Sequence, residues 1–439
     1  MSGLKCPQGH RCVLCALLLG FFSASAGAQP STVQVPATTP LPVQLTRHVA
    51  MRAGEPLEGR LLYPVYVDNQ VAIPAGAILR GRVMRLEPDR SHRIHSRLRG
   101  DFTPFHIPVV HFEDLVLPGS SAQPIASDNS TEGFEIMRLS PPPGKKKGSF
   151  ISREIAQGKQ RLKDAASLFT APGRGDRLVQ FFYSQLPYHP ERIESGTAWT
   201  INLARPVDVQ AATSPLPVTA KADPPAESSQ PEWRLHAYLQ ETISSAGKKP
   251  GDEFEAIVSE PILNSQRDVV VPQGSLLVGE ITQAKRAKSF GRQGRLRFRF
   301  RELRLPSGFS QPVEGSLAGV DANRSDNLQV DPEGGIAPAA QNRVVAPLLL
   351  AFLAGRAFDD DGSLAVHSAV ASNGFGLVGR IVGIAASSRN VAAGIGFYGA
   401  ALAFYDLWLA HGKNVVFARN TRIDVTTRPR HNQITKTSP

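Results

Sequence analysis

The chain has 439 residues, is 41% hydrophobic and carries a formal charge of +11, which allows two domains of ordinary size, each with its own core. All three cysteines, Cys6, Cys12 and Cys15, fall within residues 1–28, so disulfide scaffolding and thiol chemistry are excluded from the remainder. The positive balance suits anionic surfaces such as phospholipid headgroups, lipopolysaccharide or nucleic acid, although the basic residues are spread along the chain and form no single block.

Residues 1–28 read as a signal peptide. Lys5 and Arg11 supply the basic region, Cys12 to Phe22 the short apolar run, and Ala26-Gly-Ala28 the cleavage pattern. Removing this acid-free segment takes the formal charge from +11 to +9. The export signal places the chain outside a bacterial cytoplasmic membrane, in the periplasm or outer membrane. Residues 29–46 are rich in Pro, Thr, Val and Gln and read as a flexible lead-in.

The first β module is expected over 47–206. It contains Val71-Ala-Ile-Pro74-Ala-Gly76-Ala-Ile-Leu-Arg-Gly81, an apolar run, Pro-x-Gly, and a second apolar run. The same plan returns as Val269-Val-Val-Pro272-Gln-Gly274-Ser-Leu-Leu-Val-Gly279. Pro at the second and Gly at the fourth position of a type I turn would reverse the chain between two strands. The flanks repeat too: Gly54 to Pro64 aligns with Gly251 to Pro261, and Phe112 to Pro118 with Phe300 to Pro306. In both copies the apolar phase slips by one residue, from Phe to Leu-x-Leu, which predicts a β-bulge. Arg82 to Thr103 is a polar, basic stretch with His92 and His95, and His106 and His111 follow. Their spacing matches no zinc pattern, and no metal or cofactor is expected. An amphipathic helix over Ser149 to Leu168 and a second short one over Asp176 to Leu186 form an insertion. Thr197 to Leu203 alternates and closes the module as a strand.

Residues 207–232 read as a Pro-rich linker. The second module spans 233–430, followed by a tail at 431–439. Its strand from Arg295 to Arg301 alternates strictly, with Leu296, Phe298 and Phe300 on one face and Arg295, Arg297, Arg299 and Arg301 on the other. The arginine stripe is either a solvated outer face or a contact for phosphates and acidic groups; no nucleic-acid motif accompanies it. Residues 373–410 are apolar and glycine-rich and read as a helical hairpin. Gly376, Gly379, Gly383, Gly394, Gly396 and Gly399 are small residues placed for close helix packing in a membrane or an oligomer. The strings Gly374 to Gly379 and Gly394 to Gly399 also fit a dinucleotide fingerprint, but no strand precedes them and no acid follows in a βαβ unit. Val415 to Val425 is a closing strand, within which Thr421-Arg-Ile-Asp-Val425 matches Thr197-Ala-Trp-Thr-Ile201.

The expected fold is therefore mainly β with helical insertions: two tandem small barrel or sandwich modules, the second carrying the apolar hairpin. This order of hairpin, long strand pair, helical insertion and closing strand, with Val-Pro-x-Gly-Ser-x-Leu-x-Gly at 271–279 and Leu-Arg-Leu-Pro-Ser-Gly at 303–308, resembles the TrbI-like conjugation family. These are outer-membrane-core β-barrel proteins of type IV secretion. The resemblance implies a hairpin that lines a ring pore and self-association or other envelope proteins as partners, with outer-membrane lipid as a further one. The family has an uncleaved inner-membrane helix and one barrel; here there are a cleavable signal and two modules. No nucleophile–base pair, phosphate loop or matched carboxylate pair is found. The expected function is a non-enzymatic structural component of the envelope. The alternative is a soluble periplasmic module that binds anionic glycan or lipid through the arginine stripe.

Overall fold

The computed structural model describes residues 32–142 (apart from 99, 120 and 132), 187–210, 232–339 (apart from 265) and 409–429, with 397, 398, 401, 404 and 405. The signal peptide, the helices predicted over 149–168 and 176–186, nearly all of the 373–410 hairpin and the tail lie outside the described residues. Among those described, the protein is mainly β.

In the first half the strands are β1 (Thr32–Val35), β2 (Pro40–Leu45), β3 (Val49–Ala50), β4 (Pro56–Leu61), β5 (Val65–Val67), β6 (Gln70–Ile73) and β7 (Ile78–Pro88). Helix α1 (Arg90–Arg97) follows, then β8 (His106–Val116), β9 (Ala122–Pro124), β10 (Phe134–Leu139), β11 (Arg192–Ile193), β12 (Thr197–Asn202) and β13 (Val207–Gln210). The second half has β14 (Trp233–Leu239), β15 (Ile243–Ser244), β16 (Glu253–Val258), β17 (Ile262–Leu263), β18 (Val269–Val271), β19 (Leu276–Lys285), β20 (Arg295–Arg304) and β21 (Ser310–Asn323). After a 3-10 turn at Arg324–Asp326 come β22 (Leu328–Val330), β23 (Ile336–Pro338), β24 (Val416–Phe417) and β25 (Arg422–Pro429).

Six strands of the second half close on themselves: β20, β19, β16, β14, β25 and β21 run in that order, and β21 pairs back to β20. The first half runs β8, β7, β4, β2, β12 in the corresponding order. Its seam between β8 and β12 is crossed by single bridges, Val110 to Ser130 and Ser127 to Leu203. Small hairpins fall in matching places, β5–β6 with β17–β18 and β3–β11 with β15–β24. Each half has its own hydrophobic core. Trp199, Phe112 and Leu41 are buried in one. In the other, Phe254, Phe298 and Phe300 meet edge to face at 5.2–5.8 Å, each pair adding about 0.5–1.5 kcal/mol beyond burial.

Both halves carry the predicted bulge. The β7–β8 register shifts at Arg80/Gly81 and that of β19–β20 at Val278/Gly279. The Pro-x-Gly turn differs from expectation. Ala77 and Ser275 donate their N–H to Pro74 and Pro272, and Gly76 and Gly274 have φ of +84° and +80°. Pro is thus the first residue and Gly the left-handed third, the type II pattern, which selects glycine by its free φ.

Two boundaries are corrected. Residues 29–46 are not all lead-in, because β1 and β2 lie there and Leu41, Val43 and Leu45 are buried. Proline forfeits only its own donor; the Pro42 carbonyl still accepts from Leu62 at 2.9 Å. The linker read over 207–232 opens with β13, which pairs with β1, so the first half reaches Gln210. The polar, basic stretch from Arg82 to Thr103 holds the end of β7 and α1.

Candidate functional site at the joint between the halves

One strand belongs to both halves. β10 pairs with β12 through Phe134 and Glu135, then with β21 from Ile136 to Leu139. Its last residue, Leu139, is buried in the second core. Strand alternation then turns Arg138 the other way, opposite its direct partner Asp321.

Arg138 is the centre of a charged cluster. Its Nη1 lies 2.5 Å from Asp321 Oδ1, and its Nη2 pairs with Asp424 Oδ2. The Tyr63 hydroxyl, from the first half, donates to Asp321 Oδ2 at 2.7 Å. Asp424 also meets His236 Nδ1 at 2.5 Å, a direct cross-strand pair between β25 and β14. Two places along β25, Arg422 donates to Glu260 at 2.8 Å and lays its guanidinium 3.7 Å above the Tyr63 ring, a cation–π contact across the joint.

The electrostatics follow from burial and pairing. Burial alone would raise the Asp424 pKa; hydrogen bonds from His236 and Arg138 outweigh it and hold the carboxyl well below the ordinary aspartate range. Burial would lower Arg138, but its bonds to Asp424 and the charge of Asp321 push it up instead. Tyr63 is raised by burial and by Asp321, and Tyr238 is pushed up to about 12, chiefly by burial. Both tyrosines therefore stay neutral. Arg422 keeps Nε and Nη1 buried without a hydrogen-bond partner, so its charge rests on Glu260, the Tyr63 face and Asp424 at 4.0 Å.

Polar contacts extend the joint on either side. Asn420 donates to Asn202 at 3.0 Å, and the Gln273 N–H donates to Asn69 at 2.8 Å. A cavity of about 340 Å³ and a groove of about 600 Å³ lie along it. Chemically the cluster is a clamp. His236 and Asp424 form a pair, but the Ser259 hydroxyl donates to the His236 backbone carbonyl and not to its ring, so no acyl-transfer triad is assembled there. Among the described residues no group of three or more His, Cys, Asp or Glu is placed to hold a metal.

The joint residues were not foreseen. At the places of Arg422 and Asp424 the first half has Ala198 and Thr200, paired with Gln44 and Pro42 where the second half has Tyr238 and His236. The signal available was charge at alternate positions of a strand whose other face is Ile423 and Val425.

The arginine stripe is present as drawn: Leu296, Phe298 and Phe300 are buried, while Arg295, Arg299 and Arg301 are exposed and Arg297 half-buried. Three of its four arginines are paired with glutamates. Arg297 meets Glu333 at 3.2 Å, Arg299 meets Glu280 at 3.1 Å, and Arg301 meets Glu253 at 2.6 Å. The stripe borders a cleft of about 900 Å³ with Arg428, Glu232 and Glu314, beyond the point where β20–β21 pairing ends at Phe300 and Gly315. Such exposed pairs contribute at most about 1 kcal/mol each. Arg299→Gln is expected to shift the urea midpoint only slightly; a large shift would mean that the ladder holds the barrel.

The six packing glycines, Gly376, Gly379, Gly383, Gly394, Gly396 and Gly399, lie outside the described residues. The four histidines are not gathered. His92 stacks on Phe105 at 4.0 Å, His95 meets the Ser91 carbonyl, His106 meets Glu191 at 2.5 Å, and His111 sits near the Ser127 hydroxyl. Among the described residues no helix is long and apolar enough to cross a membrane.

No family model matches the chain, and no curated protein matches it. Among solved structures it is similar to ComB10 of the Com type IV secretion system of Helicobacter pylori. The identity is 11%, over 40% of this chain and 90% of that one, with a TM-score of 0.21, so the likeness is loose.

Proposed function

We propose that the chain is a non-enzymatic scaffold of the bacterial cell envelope, one β-module plan written twice, of the kind the TrbI-like resemblance implies. The observation that carries the reading is the joint. A polar cluster of six side chains from four strands and a loop binds one half to the other. A protein whose buried charge is spent on relative placement is suited to transmit position, not to turn over a substrate. The matched strand orders support the duplication, and the export signal read over residues 1–28 supports the location. Its partners would be copies of itself or other envelope proteins, and the 373–410 hairpin would make the membrane or oligomer contact.

Cell fractionation tests this. The chain is expected in the membrane fraction, released by detergent, with cross-linking that gives species larger than a monomer. A fully soluble monomer would overturn it. The alternative, anion binding by the arginine stripe, is disfavoured because three of its four arginines already face glutamates.

A further inference from the structure

Helix α1 is amphipathic the wrong way round for a helix that packs on a core. None of its residues is buried. Its polar side holds it to the protein: Arg93 donates to the Pro104 carbonyl at 2.7 Å, His92 stacks on Phe105, and the Asp89 carboxylate caps the His92 N–H at 2.9 Å. Its apolar residues face outward. Ile94 is 61% exposed, Leu98 just past its end 47%, and Phe102 beyond it 56%. A surface helix ordinarily turns that stripe to the core.

The neighbourhood extends the patch. The Phe102 N–H donates to the Pro187 carbonyl at 2.7 Å, which brings Tyr188, 62% exposed, beside it. Arg90 and Arg97 are exposed and fall on the side of Ile94 and Leu98, at spacings of three and four. The helix contains no acid, and the acids around it are engaged. Asp89 is the cap, Asp101 takes the Thr103 N–H and pairs with His189, Glu87 pairs with Arg85, and Glu191 with His106. The β20 stripe is a ladder of paired charges; this tip is cationic without such a ladder. Exposed aliphatic and aromatic side chains set among arginines are the composition of a segment lying in a lipid interface.

We propose that the α1 tip docks on a bilayer surface rich in anionic phospholipid, with Ile94, Leu98, Phe102 and Tyr188 entering the headgroup boundary and Arg90 and Arg97 meeting phosphates. This site is separate from the joint but adjoins the 373–410 segment, whose Tyr398 hydroxyl donates to the Leu98 carbonyl at 3.1 Å; it does not depend on the scaffold reading.

The test is co-sedimentation of the purified full chain with phosphatidylcholine vesicles, with and without phosphatidylglycerol. Binding is expected only with phosphatidylglycerol and should weaken as salt rises. Arg90→Gln with Arg97→Gln should cost about fivefold in partitioning for each arginine. Ile94→Ser, Leu98→Ser and Phe102→Ser together should remove binding. Arg299→Gln with Arg301→Gln should leave it unchanged. The substituted tip side chains are exposed, so melting should not move. Phe102→Trp gives a reading free of that concern, since its emission should shift to the blue on phosphatidylglycerol vesicles alone. Wild-type binding in all tip variants, no dependence on phosphatidylglycerol, or a tip variant that changes self-association while vesicle binding persists would each overturn the proposal. Failure here leaves the scaffold reading intact, because that reading is tested by fractionation and cross-linking.

Discussion

Asp424→Ala is expected to destabilise the protein by about 3–5 kcal/mol, the range for removing one partner of a buried ion pair. Asp424 is 6% exposed and is shared by Arg138 and His236, so its loss strands two donors at once. Arg138 is 34% exposed, so solvent relieves part of that cost and the lower end of the range is the better figure. Urea unfolding followed by tryptophan fluorescence measures it. Arg138→Ala should cost less than Asp424→Ala, because Asp424 then keeps His236 and only Asp321 loses its cation. The double variant should cost clearly less than the two singles added, since the pair counts once. Additive losses would mean that the two side chains do not act on each other.

The acid limb of stability should change with it. The Asp424 pKa is lower folded than unfolded. Its contribution is then fully present above the ordinary aspartate value of about 4 and is lost as pH falls toward the folded value. Asp424→Asn should flatten the stability curve below about pH 4 relative to wild type. Its curve should run below and parallel to wild type above that.

Much of the β framework was legible because strand periodicity and turn chemistry are local. The Pro-x-Gly repeat, the bulge opposite Gly81 and Gly279 and the alternation of Arg295 to Arg301 are each set by neighbours a few residues apart. The turn type was misread because Pro suits more than one turn position, and only the φ of Gly76 and Gly274 decides between them. β1 and β2 were hidden by threonine and proline, and β13 by the Pro-rich composition of the stretch it opens, although Val35 and Val207 are buried against the same core. The joint was not legible at all. Tyr63 and Arg422 are far apart in sequence, and neither shows what it faces until β10 leaves one sheet for the other. Charge on a strand reads as solvent exposure unless a second surface is known to cover it.

The two bulge glycines make the sharpest comparison between the halves. A Cβ on Gly81 would meet backbone, His111 O at 2.1 Å and Phe112 Cα at 2.7 Å. A Cβ on Gly279 would meet a side chain, the Phe254 ring at 2.3 Å. Phe254 is buried in the second core, and the corresponding residue of the first half is Leu57. Gly81→Ala can be accommodated only by moving the bulge of β8, and a cost of about 1–3 kcal/mol or more is expected. Gly279→Ala should cost a similar amount by crowding the ring. The difference lies in rescue. Phe254→Leu opens the space, so Gly279→Ala with Phe254→Leu should be more stable than the sum of the singles predicts, by at least about 1 kcal/mol. Leu57→Ala should give no such relief to Gly81→Ala, because the obstacle there is main chain. Urea midpoints of the four singles and two doubles decide it. Equal coupling in both halves would mean that Gly81 and Gly279 are kept for one reason; coupling at Gly279 alone would mean that one backbone plan is packed in two ways.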